Sequence, residues 1–248
     1  MTRQQQAGLS AACLAAQTIL ECSGEIYRAE DTATRMCAAF GFPDAQIMCF
    51  PTGFVLTVPL EDGSSYSHTQ RVRDRAIQLS ALDEVNRISR RVALGQLDGG
   101  QALAALQTLR QARDYPAWLL VLAFALAAGF FSMMFGGGLR ELGYAFVAGG
   151  LTQLLLPAMR RLHAPILLAS LFGGLVAAGV ALMLVTRFGG NQEAALSGAI
   201  MPLLPGLAMT NAVRDTMRGD LVAGMARSTE ALLSSVLIAA GVAIVLML

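Results

Sequence analysis

Asn211 and Asp215 are the side chains in the C-terminal half best suited to chemistry on a small polar solute. They stand four apart, so a helix projects both from one face, with Arg214 and Arg218 on the adjoining faces. An amide in that position can hydrogen-bond a solute. A carboxylate can exchange a proton, or close an ion-pair gate with Arg214, Arg218 or Arg227. The stretch just before them carries Pro202 and Pro205, followed at once by Gly206. Two prolines remove two helix N–H groups and leave carbonyls without partners. In lipid such carbonyls survive where they are buried in protein or line a cavity, and interrupted spans are a common pointer to a transport site. A kinked helix packed around its neighbours, with Asp215 solvated beside Arg218, is the plainer alternative.

A further polar group, Gln153, follows Gly149-Gly150 in another apolar stretch, where it can serve a transport path or bridge two helices. Those glycines, with Gly173, Gly174 and Gly179, suit close helix packing. His163 sits in a basic loop and reads as solvated. No GxSxG, P-loop, HExxH or GxGxxG is present, so we expect no catalytic residue, no cofactor and no metal. Glu25 with Glu30, or Asp83 with Glu84, could form acid–base pairs, but such residues on helix faces are usually solvated. Arg71, Arg73 and Arg75 alternate at strand spacing and could hold an anion or pair with carboxylates. Cys13, Cys22, Cys37 and Cys49 have unrelated spacings and read as buried, reduced thiols.

The elements that must position these groups follow from composition. The chain is 55% hydrophobic and 14% charged, well under the roughly 25% charged of an ordinary soluble domain. Residues 1–115 hold 23 of the 35 charged side chains, and the shift at Asp114-Tyr115-Pro116 marks a domain boundary. The expected fold is an α-helical integral membrane protein: a cytoplasmic α+β domain over 1–115 and a transmembrane domain over 116–248. Five stretches are long and apolar enough to cross a hydrocarbon core of about 30 Å: 116–135, 141–159, 165–186, 194–213 and 231–248. Arg110 and Arg113, then Arg160 and Arg161, then Arg214, Arg218 and Arg227 fall on one side, against Arg140 and Arg187 on the other. That bias puts the N-terminus in the cytoplasm of a bacterial cell and the C-terminus in the periplasm. Five spans are lean for a complete path, so a homo-oligomer or a second gene product is expected as partner. A net charge of +1 without basic stripes argues against nucleic acid.

In the N-terminal part, apolar residues at 9, 13, 16 and 20 fit one helix face, and Gln17 and Glu21 interrupt any resemblance to a signal peptide. Ser23-Gly24 separates two helices over 5–40, with Gly41 ending the second. Segments 46–50, 54–59 and 64–73 read as strands joined by Pro51-Thr52-Gly53 and Glu61-Asp62-Gly63 turns. Ser80 to Asp83 resembles a capping box leading a helix with Leu82, Val85, Ile88 and Val92 inward. Asp98 caps another, with Leu103, Leu106 and Leu109 inward.

Two regions of the chain resemble the threonine/serine exporter family, in the N-terminal component of its split, two-gene form. One runs from Gly24-Glu25-Ile26-Tyr27-Arg28-Ala29-Glu30-Asp31 through Pro51-Thr52-Gly53 and Arg71-Val72-Arg73 to Val85-Asn86-Arg87-Ile88-Ser89-Arg90. The other holds Pro205-Gly206, Asn211-Ala212-Val213, Asp215, Gly219, Gly224 and Arg227. The resemblance implies a cytoplasmic domain, five spans and a smaller multi-spanning partner of the same family. It also implies export of small polar metabolites, threonine and serine in fused members and dicarboxylates such as succinate in split ones. Fused members carry about twice as many spans. A membrane-anchored hydrolase-like enzyme and a regulatory or scaffold subunit are the alternatives, although an anchor needs neither five spans nor a doubly broken helix.

Overall fold

The computed structural model describes residues 1–73, 75–111, 115–161 and 165–248. Asp114 of the expected boundary, Arg113 and His163 lie outside the described residues, as do the side chains of Arg160 and Arg161. The elements in order are α1 (Arg3–Glu21), α2 (Ile26–Ala39), β1 (Gln46–Phe50), β2 (Gly53–Pro59), β3 (Ser65–Arg71), α3 (Leu79–Ala93) and α4 (Gly99–Gln111). They continue as α5 (Ala117–Met134), α6 (Leu139–Arg161), α7 (Ile166–Phe188), α8 (Gln192–Ile200), a 3-10 turn (Met201–Leu203), α9 (Gly206–Met217) and α10 (Leu221–Met247). The chain divides into two compact units. One is Met1–Ala112 with Leu207–Ser228, and the other is Arg113–Gly206 with Thr229–Leu248.

In the first unit, α1 opens on a reciprocal cap. Thr2 Oγ1 accepts from Gln5 N–H, and Gln5 Oε1 accepts from Thr2 N–H. Its buried stripe includes Leu9, Cys13, Ala16 and Leu20, as the spacing predicts, and it packs against α2, α3 and α4. The strands form an antiparallel meander in the order β1-β2-β3. The first turn requires glycine: a Cβ on Gly53 would lie 2.4 Å from the Gln70 carbonyl oxygen. The second closes when Asp62 Oδ1 accepts from Ser64 N–H at 2.9 Å. β3 ends at Arg71, so Arg73 and Arg75 fall beyond the strand and the three arginines do not line one edge. Leu82, Val85, Ile88 and Val92 are buried along α3 as expected. However, α3 starts at Leu79, so Ser80 stands inside it and is not its cap. Asp98 does cap α4: its Oδ1 accepts from Gln101 N–H at 2.8 Å.

Cys13, Cys22, Cys37 and Cys49 are buried free thiols. Burial pushes Cys13 and Cys37 up to about 12, and raises Cys49 as well. The thiolate is the nucleophile. Iodoacetamide at pH 8 is therefore expected to leave these three cysteines unmodified in the folded chain and to label them after denaturation. Labelling of the folded protein, read by mass spectrometry, would contradict this burial.

The second unit packs through small side chains. Ala128 of α5, Ala145 and Ala148 of α6, Ala177, Ala178 and Ala181 of α7, and Ala199 of α8 form its core. Between apolar helices in lipid there is no hydrophobic driving force, so close backbone approach through small residues supplies the contact. Gly149 and Gly150 serve it, since a Cβ on Gly149 would lie 2.6 Å from Ala128 Cβ. Gly174 is also tightly packed, whereas a Cβ on Gly179 would meet nothing within 4 Å in this chain. Three helices among the described residues are long and apolar enough to cross a membrane: α5, Leu167–Phe188 of α7, and α10. A broken pair, Gln192–Leu203 with Gly206–Met217, would make a fourth. The second expected stretch is occupied by α6, a 23-residue helix with Pro157 inside it. The last helix begins at Leu221, well before the expected 231.

Glu141, which the sequence did not single out, ties two loops of this unit. Its Oε2 accepts from Gly138 N–H at 2.7 Å and its Oε1 from Asn191 N–H at 2.8 Å. Asn191 in turn caps α8 through Ala194 N–H.

Candidate functional site

The stretch holding Pro202 and Pro205 is broken, and its local backbone explains the break. α8 stops at Ile200, and Pro202 sits inside the 3-10 turn, where its missing N–H disrupts no ladder. Leu204 is extended, with φ −66° and ψ 137°, because the following Pro205 ring excludes the helical region. The helix restarts at Gly206 as α9. The 3-10 turn packs beside α5, α7 and α8, with Leu203 against Gly173. Gln153 is half-buried on α6. These residues belong to the second unit.

Asn211, Arg214, Asp215, Arg218 and Arg227 belong to the first unit. There, four of them converge on the turn between α1 and α2. Asn211 Nδ2 donates to the Ser23 carbonyl at 3.0 Å. Arg227 Nη2 donates to the Gly24 carbonyl at 2.6 Å and Nη1 reaches Ser23 O at 3.5 Å. Asp215 Oδ1 accepts from Ile26 N–H at 3.2 Å, and Arg214 Nη1 pairs with Glu25 Oε1 at 2.8 Å. The turn needs such a clamp. Ser23 is a non-glycine residue at φ +59°, a conformation that costs about 1–2 kcal/mol. Glu25, the N-cap of α2, makes no side-chain cap bond, so the first N–H groups of α2 lack a local acceptor. Asp215 supplies one from a distant helix and adds a negative charge at the positive end of α2.

Asp215 and Arg227 also face each other, with Oδ2 3.3 Å from Nε and side chains 0% and 6% exposed. The N–H is not aimed at that oxygen, so the contact is Coulombic. The hairpin that carries both is held close by Gly224: a Cβ there would lie 2.0 Å from Thr216 Oγ1 and 3.0 Å from the Ala212 carbonyl oxygen. Gly219, at φ +92°, makes the turn between α9 and α10. Arg218 does not join the clamp. Its guanidinium carbon lies 3.8 Å from the centroid of the Tyr27 ring.

Glu25, read from sequence as solvated, is buried and bonded to both Arg28 and Arg214. Burial pushes its carboxyl up, but its own backbone N–H and the two guanidiniums more than offset this and hold it below the ordinary value. A depressed folded-state value contributes stability above the unfolded value that is lost as pH falls through the folded one. Glu25→Gln is therefore expected to lower the thermal midpoint of the full chain at neutral pH. Its difference from wild type should shrink as the pH falls through the carboxylate range, and a constant difference would exclude the ionised pair. Among the described residues no group of three or more His, Cys, Asp or Glu could hold a metal ion.

Helices long and apolar enough to span a bilayer mark a membrane protein, and the chain belongs to the threonine/serine exporter family, a family of membrane transport proteins. The family model described as "Putative threonine/serine exporter" matches residues 10–248. The chain is 26% identical over 253 residues to "Probable succinate transporter subunit YjjP" of Escherichia coli (strain K12), covering 99% of this chain and 96% of that one. It is 26% identical to the protein of the same name from Klebsiella aerogenes, over 91% of this chain and 88% of that one. It is also 27% identical to "Probable threonine/serine exporter" of Mycobacterium tuberculosis, over 86% of this chain but 41% of that longer protein. No solved structure is significantly similar to it.

Proposed function

We propose that the chain is one subunit of a bacterial inner-membrane exporter of small polar metabolites, either threonine/serine-type amino acids or a small dicarboxylate such as succinate. It works with a second membrane subunit of the same family. The observation that carries this reading is the break between Ile200 and Gly206, whose freed carbonyls need partners other than lipid. Pro202, Pro205 and Gly206 then form the part of the path this chain contributes, with Gln153 of α6 as a further polar group for the solute. The relatives support a partner: two are named as subunits, and this chain aligns to 41% of the longer exporter.

The chain crosses the membrane five times in this reading, through α5, α6, α7, the broken pair and α10. The N-terminus lies in the cytoplasm and the C-terminus in the periplasm. The clamp supports that topology, because the arginine-bearing segment from Arg214 to Arg227 binds the N-terminal domain and so shares its side. The Asp215–Arg227 pair acts as a latch at the cytoplasmic end of the broken span.

Charge separates the two cargo classes. With the interior negative, each negative charge leaving gains about 2.3 kcal/mol per 100 mV. A dicarboxylate leaves down the potential without a coupled ion, whereas a zwitterionic amino acid gains nothing from it. Proteoliposomes holding both subunits, loaded with labelled succinate or threonine, test the proposal. Efflux is expected only when both subunits are present, and an inside-negative potential should speed it only for succinate. Full-rate efflux from the partner alone would make this chain a scaffold, and turnover of small esters by the purified chain would make it a hydrolase.

A further inference from the structure

An open groove of about 750 Å³ lies in the first unit, apart from the clamp residues. One wall is a face of α2, carrying Tyr27, Glu30, Asp31 and Thr34 at the spacing that keeps them together on a helix. Gln46 of β1 lines it as well, and Arg218 comes in from the turn between α9 and α10. The groove is open to solvent, and its polar groups have opposite charges at separate places. The Arg218 guanidinium stacks on the Tyr27 ring, and among the described residues no carboxylate lies within ion-pair distance of it. Its N–H donors remain available to an anionic group. Glu30 is fixed by Cys49 N–H, which donates to its Oε1 at 2.8 Å.

We propose that this groove is a binding site for a small zwitterion, an α-amino acid, whose ammonium group meets Glu30 and whose carboxylate meets Arg218, Asp31 being paired with Arg35. Thr34 and Gln46 add hydroxyl and amide groups for a polar side chain. The charge balance selects this class over a dicarboxylate. Glu30 is raised first by burial, against the Cys49 N–H bond, and then by nearby Asp220 and Asp215. An arriving ammonium relieves that crowding, and a second carboxylate would add to it. Because Arg218 stands one residue from Gly219 in the hairpin that carries Asp215 and Arg227, an occupant would report the cytoplasmic amino-acid level to the segment that clamps the domain.

The site is independent of the export reading, since binding needs neither a partner subunit nor flux. The test is calorimetric titration of the purified full chain in detergent with L-threonine, L-serine and succinate. Threonine and serine are expected to bind in a way that depends on Arg218 and Glu30, and succinate is not. Arg218→Gln and Glu30→Gln should each weaken amino-acid binding about tenfold or more, the loss of one charge-assisted contact. Unchanged thermal midpoints of the variants, with wild-type circular dichroism, separate loss of the site from loss of the fold. If a midpoint falls, Tyr27→Phe and Arg218→Lys serve in its place, expected to keep most of the binding. No amino-acid binding to the wild type, equal binding by the glutamine variants, or succinate binding as tight as threonine that Arg218→Gln abolishes would each overturn the proposal.

Discussion

Asp215→Ala is expected to destabilise the full chain by about 3–5 kcal/mol, the usual cost of removing one partner from a buried ion pair. Two losses coincide. Arg227, with a side chain 6% exposed, loses the carboxylate that faces its Nε, and Ile26 N–H loses its acceptor at the start of α2. Asp215→Asn keeps an oxygen for Ile26 and should cost less. Arg227→Met should cost about as much as Asp215→Ala, because it leaves the carboxylate buried and the Gly24 carbonyl without its donor. The double variant Asp215→Ala/Arg227→Met should then be less damaged than the sum of the singles, by about 1 kcal/mol or more. Thermal midpoints in detergent measure all four. Strictly additive losses would mean that the two side chains do not act as a pair.

A comparably large loss is expected where α7 meets the C-terminal part of α10. A Cβ on Gly174 would lie 2.4 Å from the Ile238 carbonyl oxygen, and one on Gly241 would lie 2.4 Å from the Leu171 carbonyl oxygen. Both clashes are with backbone, which cannot rotate away as a side-chain end can. Gly174→Leu and Gly241→Leu therefore have to push the two helices apart, at a cost of about 3 kcal/mol or more, the upper end for overpacked cores. Gly143→Ala and Gly179→Ala serve as controls, since a Cβ at either meets nothing within 4 Å. Yields of monodisperse protein after extraction should fall for the first two and hold for the controls. Equal tolerance at all four positions would contradict the close crossing.

The apolar periodicity made the helices of the first unit readable. The buried stripes of α1 and α3 and the cap at Asp98 follow from neighbours only three to four residues apart, and so does the strand meander with its glycine turns. α10 begins before the apolar stretch read over 231–248, because Arg227 and Glu230 interrupt the apolar run without interrupting the helix. Arg227 is tolerated there because it turns into the first unit and bonds the Gly24 carbonyl. The clamp itself was invisible to local patterning, since Asn211 and Ser23 are 188 residues apart in sequence. One signal was nonetheless present. The resemblance had already placed Gly24-Glu25-Ile26 and Asn211, Asp215, Gly224 and Arg227 in two separate regions. The structure brings the first unit's share of those regions into contact.

The break at Ile200–Gly206 is where the transport reading meets its most direct check. Pro202→Ala with Pro205→Ala restores two N–H groups and lets α8 run on into α9 as a continuous helix. Efflux of labelled threonine and succinate, measured in proteoliposomes with the second subunit and normalised to inserted protein, is expected to fall to the level of empty liposomes for this variant. Efflux at the wild-type rate from a correctly inserted double variant would contradict a path built on the broken span.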